Sequence, residues 1–396
     1  MKVVSVGDIS EQVRGVSYSK SESSEEPRPG YVAVLRANNI TDEGLSFADL
    51  VYVPVARVSA KQRLHAHDVV IAASSGSLSV VGKAAQARQA VDGSFGAFCK
   101  VLRPTDEVDP LYFGHFFRTP DYRRTVSGLA AGANINNLKN EHLDNLQIPL
   151  PLLREQKRIA AILDAADALR AKRRESIEQL DSLVQATFLE MFGDPATNPK
   201  AWELRTLSEV TSKITDGEHL NPKFSDAGMP MVMAGNVHED GVVVDSAKCV
   251  ERTLGERFRR KCDPEVNDIL LVSRGATIGR SCLVTFTAPF CLMGSVILLK
   301  PLRGGVHPSF LCHFLRQSAI RTALHKTSGS SAQQAIYIKD VRKLVCVIPP
   351  LDLQSRFASI VESIEHQKTR LKSHLAELDA LFSSLQSRAF NGELVA

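Results

Sequence analysis

The sequence predicts two tandem copies of a mixed α/β (α+β) domain, separated by two long antiparallel coiled-coil helices in a pseudo-twofold arrangement. The first sign is a repeat about 198 residues apart: Ile148-Pro149-Leu150-Pro151-Leu152-Leu153-Arg154-Glu155-Gln156 and Val347-Ile348-Pro349-Pro350-Leu351-Asp352-Leu353-Gln354 each lead into a long striped segment. Those segments close on similar glycine turns, Phe192-Gly193-Asp194 and Phe390-Asn391-Gly392. Such an offset is too long for one unit of a solenoid and fits duplication of a whole domain with its helix. The second sign is apolar spacing of three and four within the segments, and the third is short apolar runs alternating with amphipathic stretches ahead of them.

The expected domains are residues 1–150 and 195–350, with helices over 151–194 and 351–396. In the first domain, residues 31–35, 69–73 and 98–102 read as apolar strands; 229–233, 269–273 and 295–299 are their counterparts in the second. Residues 110–122 and 308–326 read as amphipathic helices. Asp109-Pro110-Leu111-Tyr112-Phe113 lies over His307-Pro308-Ser309-Phe310-Leu311, and Leu35-Arg36-Ala37-Asn38-Asn39 resembles Val232-Met233-Ala234-Gly235-Asn236. Retained scaffold with altered detail is expected of two modules that read different targets. The polar, Pro-bearing stretch 21–30 reads as a mobile loop.

In the long helices the expected packing stripe runs through Ile159, Ile162, Leu169, Leu180 and Val184, and through Ile360, Ile364, Leu371, Leu378 and Leu381. Lys172-Arg173-Arg174 interrupts the first stripe, where a stutter is expected. Each stripe needs a partner, and the other helix is the simplest one. A helix of about 38 residues spans roughly 57 Å, far more than a compact domain's radius of about 15 Å. Because domain termini are commonly close together, the second helix is expected to run back along the first and to serve as a spacer between the domains.

Composition narrows the class. The 396 residues suffice for two independent cores. No long apolar run or signal-peptide design is present, which predicts a cytoplasmic protein with no membrane partner. Seven cysteines without Cys-x-x-Cys spacing predict reduced thiols and no metal site. His65, His67, His115 and His313 also lack further ligands at useful spacing. Residues 1–150 carry 16 Lys/Arg against 16 Asp/Glu, whereas 195–350 carry 20 against 14, so the basic surplus lies in the second domain. That balance permits nucleic-acid binding without requiring it.

At the lead-ins and exits of both long helices, the chain resembles the specificity subunits of bacterial type I restriction-modification systems over essentially its whole length. The resemblance implies a non-catalytic subunit whose two target-recognition domains each read one half of a bipartite, asymmetric double-stranded DNA sequence, with the helices fixing the gap. It also implies partnership with two methyltransferase subunits and, in the full assembly, with restriction/translocase subunits. No cofactor is then expected on this chain; S-adenosylmethionine and ATP with Mg would belong to the partners.

Major-groove reading calls for Arg toward guanine and Asn or Gln toward adenine. Asn134, Asn136, Asn137 and Lys139 form the best local source in the first domain, and Ser330, Ser331, Gln333 and Gln334 align with them in the second. An ordinary helix-capping loop explains the same residues without DNA. The turns carrying Ser74 and Ser75, and Arg274, Thr277 and Arg280, suit phosphate contact, although a plain strand connection also accounts for them. Arg36, Asn38 and Lys83 complete the first-domain candidates. Arg259, Arg260 and Lys261 belong to the densest basic run, which is either a DNA patch or a solvated face. Neither a glycine-rich cofactor loop, an Asn/Asp-Pro-Pro-aromatic methyltransferase motif nor an ATP-binding loop is present. Two other classes fit the same architecture: a stand-alone bipartite DNA-binding protein, and a coiled-coil adaptor that reads no DNA.

Overall fold

A computed structural model describes residues 2–130, 136–326 and 335–394. The chain divides into two compact units, Met1–Glu175 with Lys372–Ala396, and Ser176–Leu371. Each unit therefore contains a globular part and a piece of both long helices, which run over Leu153–Phe192 and Leu351–Phe390. Among the described residues, no helix is long and apolar enough to cross a membrane.

The first unit is built on an antiparallel four-stranded sheet in the order Ser10–Arg14, Cys99–Pro104, Val69–Ala72, Ala84–Gln86. Side chains alternate across a strand, so Val69 and Ile71 enter one core while Val70 and Ala72 enter another. Burial on both faces explains why this strand is an unbroken apolar run. One face is covered by Pro110–Phe116, Pro120–Ala130 and the long helices, through Tyr112, Phe113, Ile159 and Leu163. The other meets a three-stranded sheet in which Tyr31–Leu35 pairs antiparallel with Val51–Pro54 and parallel with Gly93–Phe95. Lys2–Ser5 pairs with Gln147–Leu150, closing the domain where the helix begins.

The second unit repeats this plan. Its sheet order is Thr211–Asp216, Val296–Pro301, Ile269–Val272, Ser281–Leu283, and its small sheet joins Cys249–Val250, Met229–Val232 and Cys291–Leu292. Glu203–Thr206 pairs with Val345–Ile348. An eleven-residue helix, Arg252–Cys262, occupies the region where the first unit has only short turns at Val55–Arg57 and Ala60–Gln62.

The repeated lead-in motif has a physical reason. Gln156 is buried; its Oε1 accepts from the Asp109 backbone N–H at 2.8 Å and its Nε2 donates to the Pro151 carbonyl at 2.8 Å. Gln354 does the same with the His307 N–H (2.8 Å) and the Pro349 carbonyl (2.7 Å). One amide thus fastens each long helix to the start of a domain helix and to its own preceding loop. At the exits, Gly193 and Gly392 adopt φ of +79° and +83°, the left-handed turn that glycine tolerates after a helix.

Within each unit the helix pieces run antiparallel. Arg170 Nε meets Asp379 at 2.6 Å and Arg174 meets it at 3.3 Å in the first unit; Lys368 Nζ meets Asp181 at 2.6 Å in the second. The predicted stripe needs correction. Ile159, Val184 and Ile364 are buried, and Ile162, Leu180, Leu371 and Leu378 are half-buried, but Leu169, Ile360 and Leu381 are exposed. Leu163, Val361 and Phe382 are buried instead, because each helix packs on its domain core as well as on the other helix. The expected stutter at Lys172-Arg173-Arg174 leaves the helix unbroken over 40 residues.

Three other expectations change. The helix over 110–122 is two, divided just before Pro120, whose ring cannot continue the preceding turn. The helix over 308–326 likewise divides at Gln317. The stretch 21–30 is tied to the sheet edge, where Ser24 and Tyr52 exchange backbone hydrogen bonds of 2.9 and 2.8 Å.

Candidate nucleic-acid interface

In the first unit, the chain leaves the sheet at Ala73, and Ser74–Ser75 pair with Asn136–Asn137, Asn136 opposite Ser75 and Asn137 opposite Ser74. Two segments distant in sequence, both read as DNA candidates, are thus one small ribbon. The Leu138 N–H donates to Ala73 O at 2.8 Å, while the N–H groups of Ala73 and Ser74 both donate to Phe98 O, at 2.8 and 3.1 Å. Beneath them, Lys100 Nζ donates to Leu138 O at 2.7 Å and Asn140 Oδ1 at 2.8 Å. Burial, with Arg14 nearby, pushes the Lys100 ammonium down to about 8.

A second segment approaches from the small sheet. After Leu35, the Arg36 N–H donates to Asn39 Oδ1 at 2.9 Å, and buried Asn39 Nδ2 donates to Ala48 O at 2.7 Å. This fixes a tight turn that exposes Asn38 and leaves Arg36 half-buried at the cleft, its guanidinium donating to the Asp49 carbonyl at 2.8 Å. Between the turn and the ribbon lies an open cleft of about 750 Å³ lined by Tyr18, Arg36, Asn38, Ser74, Ser75 and Phe98, among others. An adjoining recess holds Arg14, Lys100, Asn137 and Lys139, and another, next to Asn38 and Ser75, holds Lys83. Seven predicted candidates, Arg36, Asn38, Ser74, Ser75, Lys83, Asn137 and Lys139, therefore share one surface. Asn136 joins it through its backbone pairing; Asn134 lies outside the described residues. Acidic neighbours temper the charge: Lys139 pairs with Glu141 at 3.2 Å and Lys83 with Asp42 at 3.6 Å.

The second unit keeps the lock. Arg274 bridges Ala335, the Ile336 N–H donates to Ser273 O at 2.9 Å, and the Ser273 N–H donates to Ser295 O at 2.9 Å. Ser330, Ser331, Gln333 and Gln334 lie outside the described residues. Arg274 is exposed and Thr277 half-buried, but the Arg280 guanidinium turns onto the Val237 carbonyl at 3.3 Å. The basic run is not a free stripe. Phe258 is buried as the anchor of its helix, Arg259 meets Asp263 at 3.0 Å, and Lys261 bonds Asp216 and the Gly217 carbonyl, both at 2.9 Å; Arg260 is exposed. Although burial opposes it, the bonds from Lys261 and His219 hold the Asp216 carboxyl below its ordinary range.

Equivalent backbone bonds relate the two faces residue by residue. Gly96 N–H donates to Leu35 O as Met293 N–H donates to Val232 O, and the 3₁₀ turns Ala37–Asn39 and Ala234–Asn236 are held by the same Asn bond, 2.9 and 3.1 Å. The side chains on this shared frame differ: Arg36, Asn38 and Phe98 in the first unit stand where Met233, Gly235 and Ser295 stand in the second. Sequence reasoning missed Tyr18, Phe98 and Lys100. Phe98 begins an apolar run that reads as core, and a lone lysine inside a strand gives no sign that it bonds a distant loop.

Two of the four histidines weighed as ligands, His115 and His313, take structural places, and His65 is exposed. His115 Nε2 lies 2.7 Å from Asp164, and His313 is buried beside Phe357. All seven cysteines are free thiols, six of them buried. Among the described residues, no group of three His, Cys, Asp or Glu is placed to hold a metal ion.

The family model described as "Type I restriction modification DNA specificity domain" matches residues 1–179 and again 199–378. The chain is 28% identical to the type I restriction enzyme EcoKI specificity subunit of Escherichia coli K12, over 100% of this chain and 89% of that protein. It is 29% identical to the StySPI specificity subunit of Salmonella potsdam, over 99% and 88%. A solved type I S subunit from M. genitalium matches its fold with a TM-score of 0.53 at 16% identity, covering 98% of this chain and 96% of that one. A chain solved within a study of type I system assembly matches with a TM-score of 0.55 at 18% identity, over 98% and 97%.

Proposed function

This chain belongs to the type I restriction-modification DNA specificity family, and we propose that it is the sequence-reading subunit of such a system. It recognises a split, non-palindromic duplex, each unit reading one half, and supplies the address for chemistry carried by its partners. Two methyltransferase subunits using S-adenosylmethionine, and restriction/translocase subunits using ATP with Mg, are the partners this assigns, in the cytoplasm.

The observation that carries the reading is one frame bearing two different sets of side chains. A peptide-binding adaptor has no need of the Asn-, Arg- and Ser-bearing cleft of the first unit, whereas base edges present the donors and acceptors those groups pair with. Arg36 and Asn38 are assigned to bases, and Ser74, Ser75, Lys83 and Lys139 to the phosphates that set register. In the second unit, Arg274 and Arg260 are the exposed cations assigned to phosphate. Partly compensated cations predict affinity that falls with salt less steeply than the basic composition alone suggests.

The test is to sequence methylated DNA from cells carrying this chain with its neighbouring methyltransferase. A motif of two unlike halves separated by a fixed gap is expected. A continuous or palindromic motif, or methylation unchanged when this chain is deleted, would refute the reading; binding to the split motif without any methyltransferase partner would favour a stand-alone DNA-binding protein.

A further inference from the structure

Phe98 is 69% exposed, the most exposed aromatic side chain among the described residues. Its place is nonetheless fixed. The Phe98 carbonyl accepts two backbone N–H groups, from Ala73 and Ser74, and the next residue's N–H donates to Gly96 O at 2.8 Å. The ring thus stands on a rigid turn beside the cleft bearing Tyr18, Arg36 and Asn38. Folding does not require an aromatic there: in the second unit Ser295 occupies the same turn with the same carbonyl bond. A preorganised apolar ring left in water costs solvation in the free protein and loses little freedom on binding.

We propose that Phe98 is a specificity-determining residue whose ring packs against the C5-methyl of a thymine in the half-site read by the first unit. This rests on the DNA-reading function proposed above. Thymine is the choice because its methyl is the one apolar group that a base pair displays in the major groove. The neighbouring Arg36 and Asn38 are suited to hydrogen-bonded edges of adjacent bases. In the second unit Ser295 offers a hydroxyl, so the two units differ in what this position reads.

The experiment uses the complex of the full chain with its methyltransferase subunits and a duplex carrying the mapped motif, in which each thymine is replaced singly by uracil. At one position in the first unit's half-site, removing the methyl should weaken binding about three- to tenfold. Phe98→Ser should lose a similar factor on the thymine duplex and show no further loss on uracil. Folding of the variant is checked by unchanged sensitivity to substitutions in the other half-site. A half-site without thymine, a wild-type complex indifferent to every uracil, or a Phe98→Ser complex that still responds to uracil as the wild type does would overturn the assignment. Tighter binding to a mismatched or unstacked base at that position would also overturn it, in favour of ring stacking. A complex with no sequence preference at all would overturn the DNA-reading function itself.

Discussion

Replacing Gln354 by Ala removes the amide that joins the second long helix to its domain. The substitution strands the His307 N–H and the Pro349 carbonyl, which that amide meets at 2.8 and 2.7 Å. A buried polar group left without a partner costs about 1–3 kcal/mol. The His307 N–H is only part-buried and regains some water, so the two together come to about 2–4 kcal/mol. Trp202, the one tryptophan of the chain, donates from Nε1 to Phe192 O at 2.9 Å and packs against the core that contains Phe357. Its fluorescence therefore reports this unit directly. With a urea dependence of about 2 kcal/mol per molar, the Trp202 midpoint should fall by about 1–2 M. Gln354→Glu keeps an acceptor for His307 but sets a carboxylate oxygen against the Pro349 carbonyl, so it should fall nearly as far. A Gln354→Ala midpoint within about 0.3 M of the wild type, at unchanged slope, would refute the reasoning.

Two further predictions concern stability. Burial pushes the His313 imidazole from its ordinary 6.5 down to about 3, so below pH 6.5 the unfolded chain binds a proton that the native state does not. Its contribution to stability should decline by about 1.4 kcal/mol per pH unit from 6.5 toward 3, and the difference in stability between His313→Phe and wild type should show that slope across the window. Asp68 is fully buried and meets Arg103 through two bonds of 2.8 Å while accepting from the His65 N–H. Asp68→Ala should cost about 3–5 kcal/mol by leaving the guanidinium unmatched. Adding Arg103→Met should recover most of the loss in thermal melts; a double variant no better than the single would contradict that cause.

Much of this architecture was legible in the sequence because duplication supplies its own control. The offset of 198 that aligns Gln156 with Gln354 also aligns the capping residues Asp109 and His307, and the glycine exits (199 apart) and the doubly buried strands (200 apart) follow within two residues of it, each reappearing as the same bond or the same burial. The helix seam was less legible because apolar neighbours compete. Ile162 and Leu163, Ile360 and Val361, and Leu381 and Phe382 all satisfy spacing of three and four, and contact with the domain core decides which member turns inward. At the candidate interface, the pairing of Ser74–Ser75 with Asn136–Asn137 is a long-range contact that local patterns do not encode. The setting of the basic run was hidden for a similar reason. Its charge density is local, but the carboxylates that engage it include Asp216, far away in sequence.

The central claim is that each unit reads its own half of a divided target. Exchanging residues 1–150 for those of a related specificity subunit with a different target, and sequencing the methylated DNA, tests it most directly. One half of the motif should change while the other half and the gap stay as they were. A change in both halves together would contradict the account.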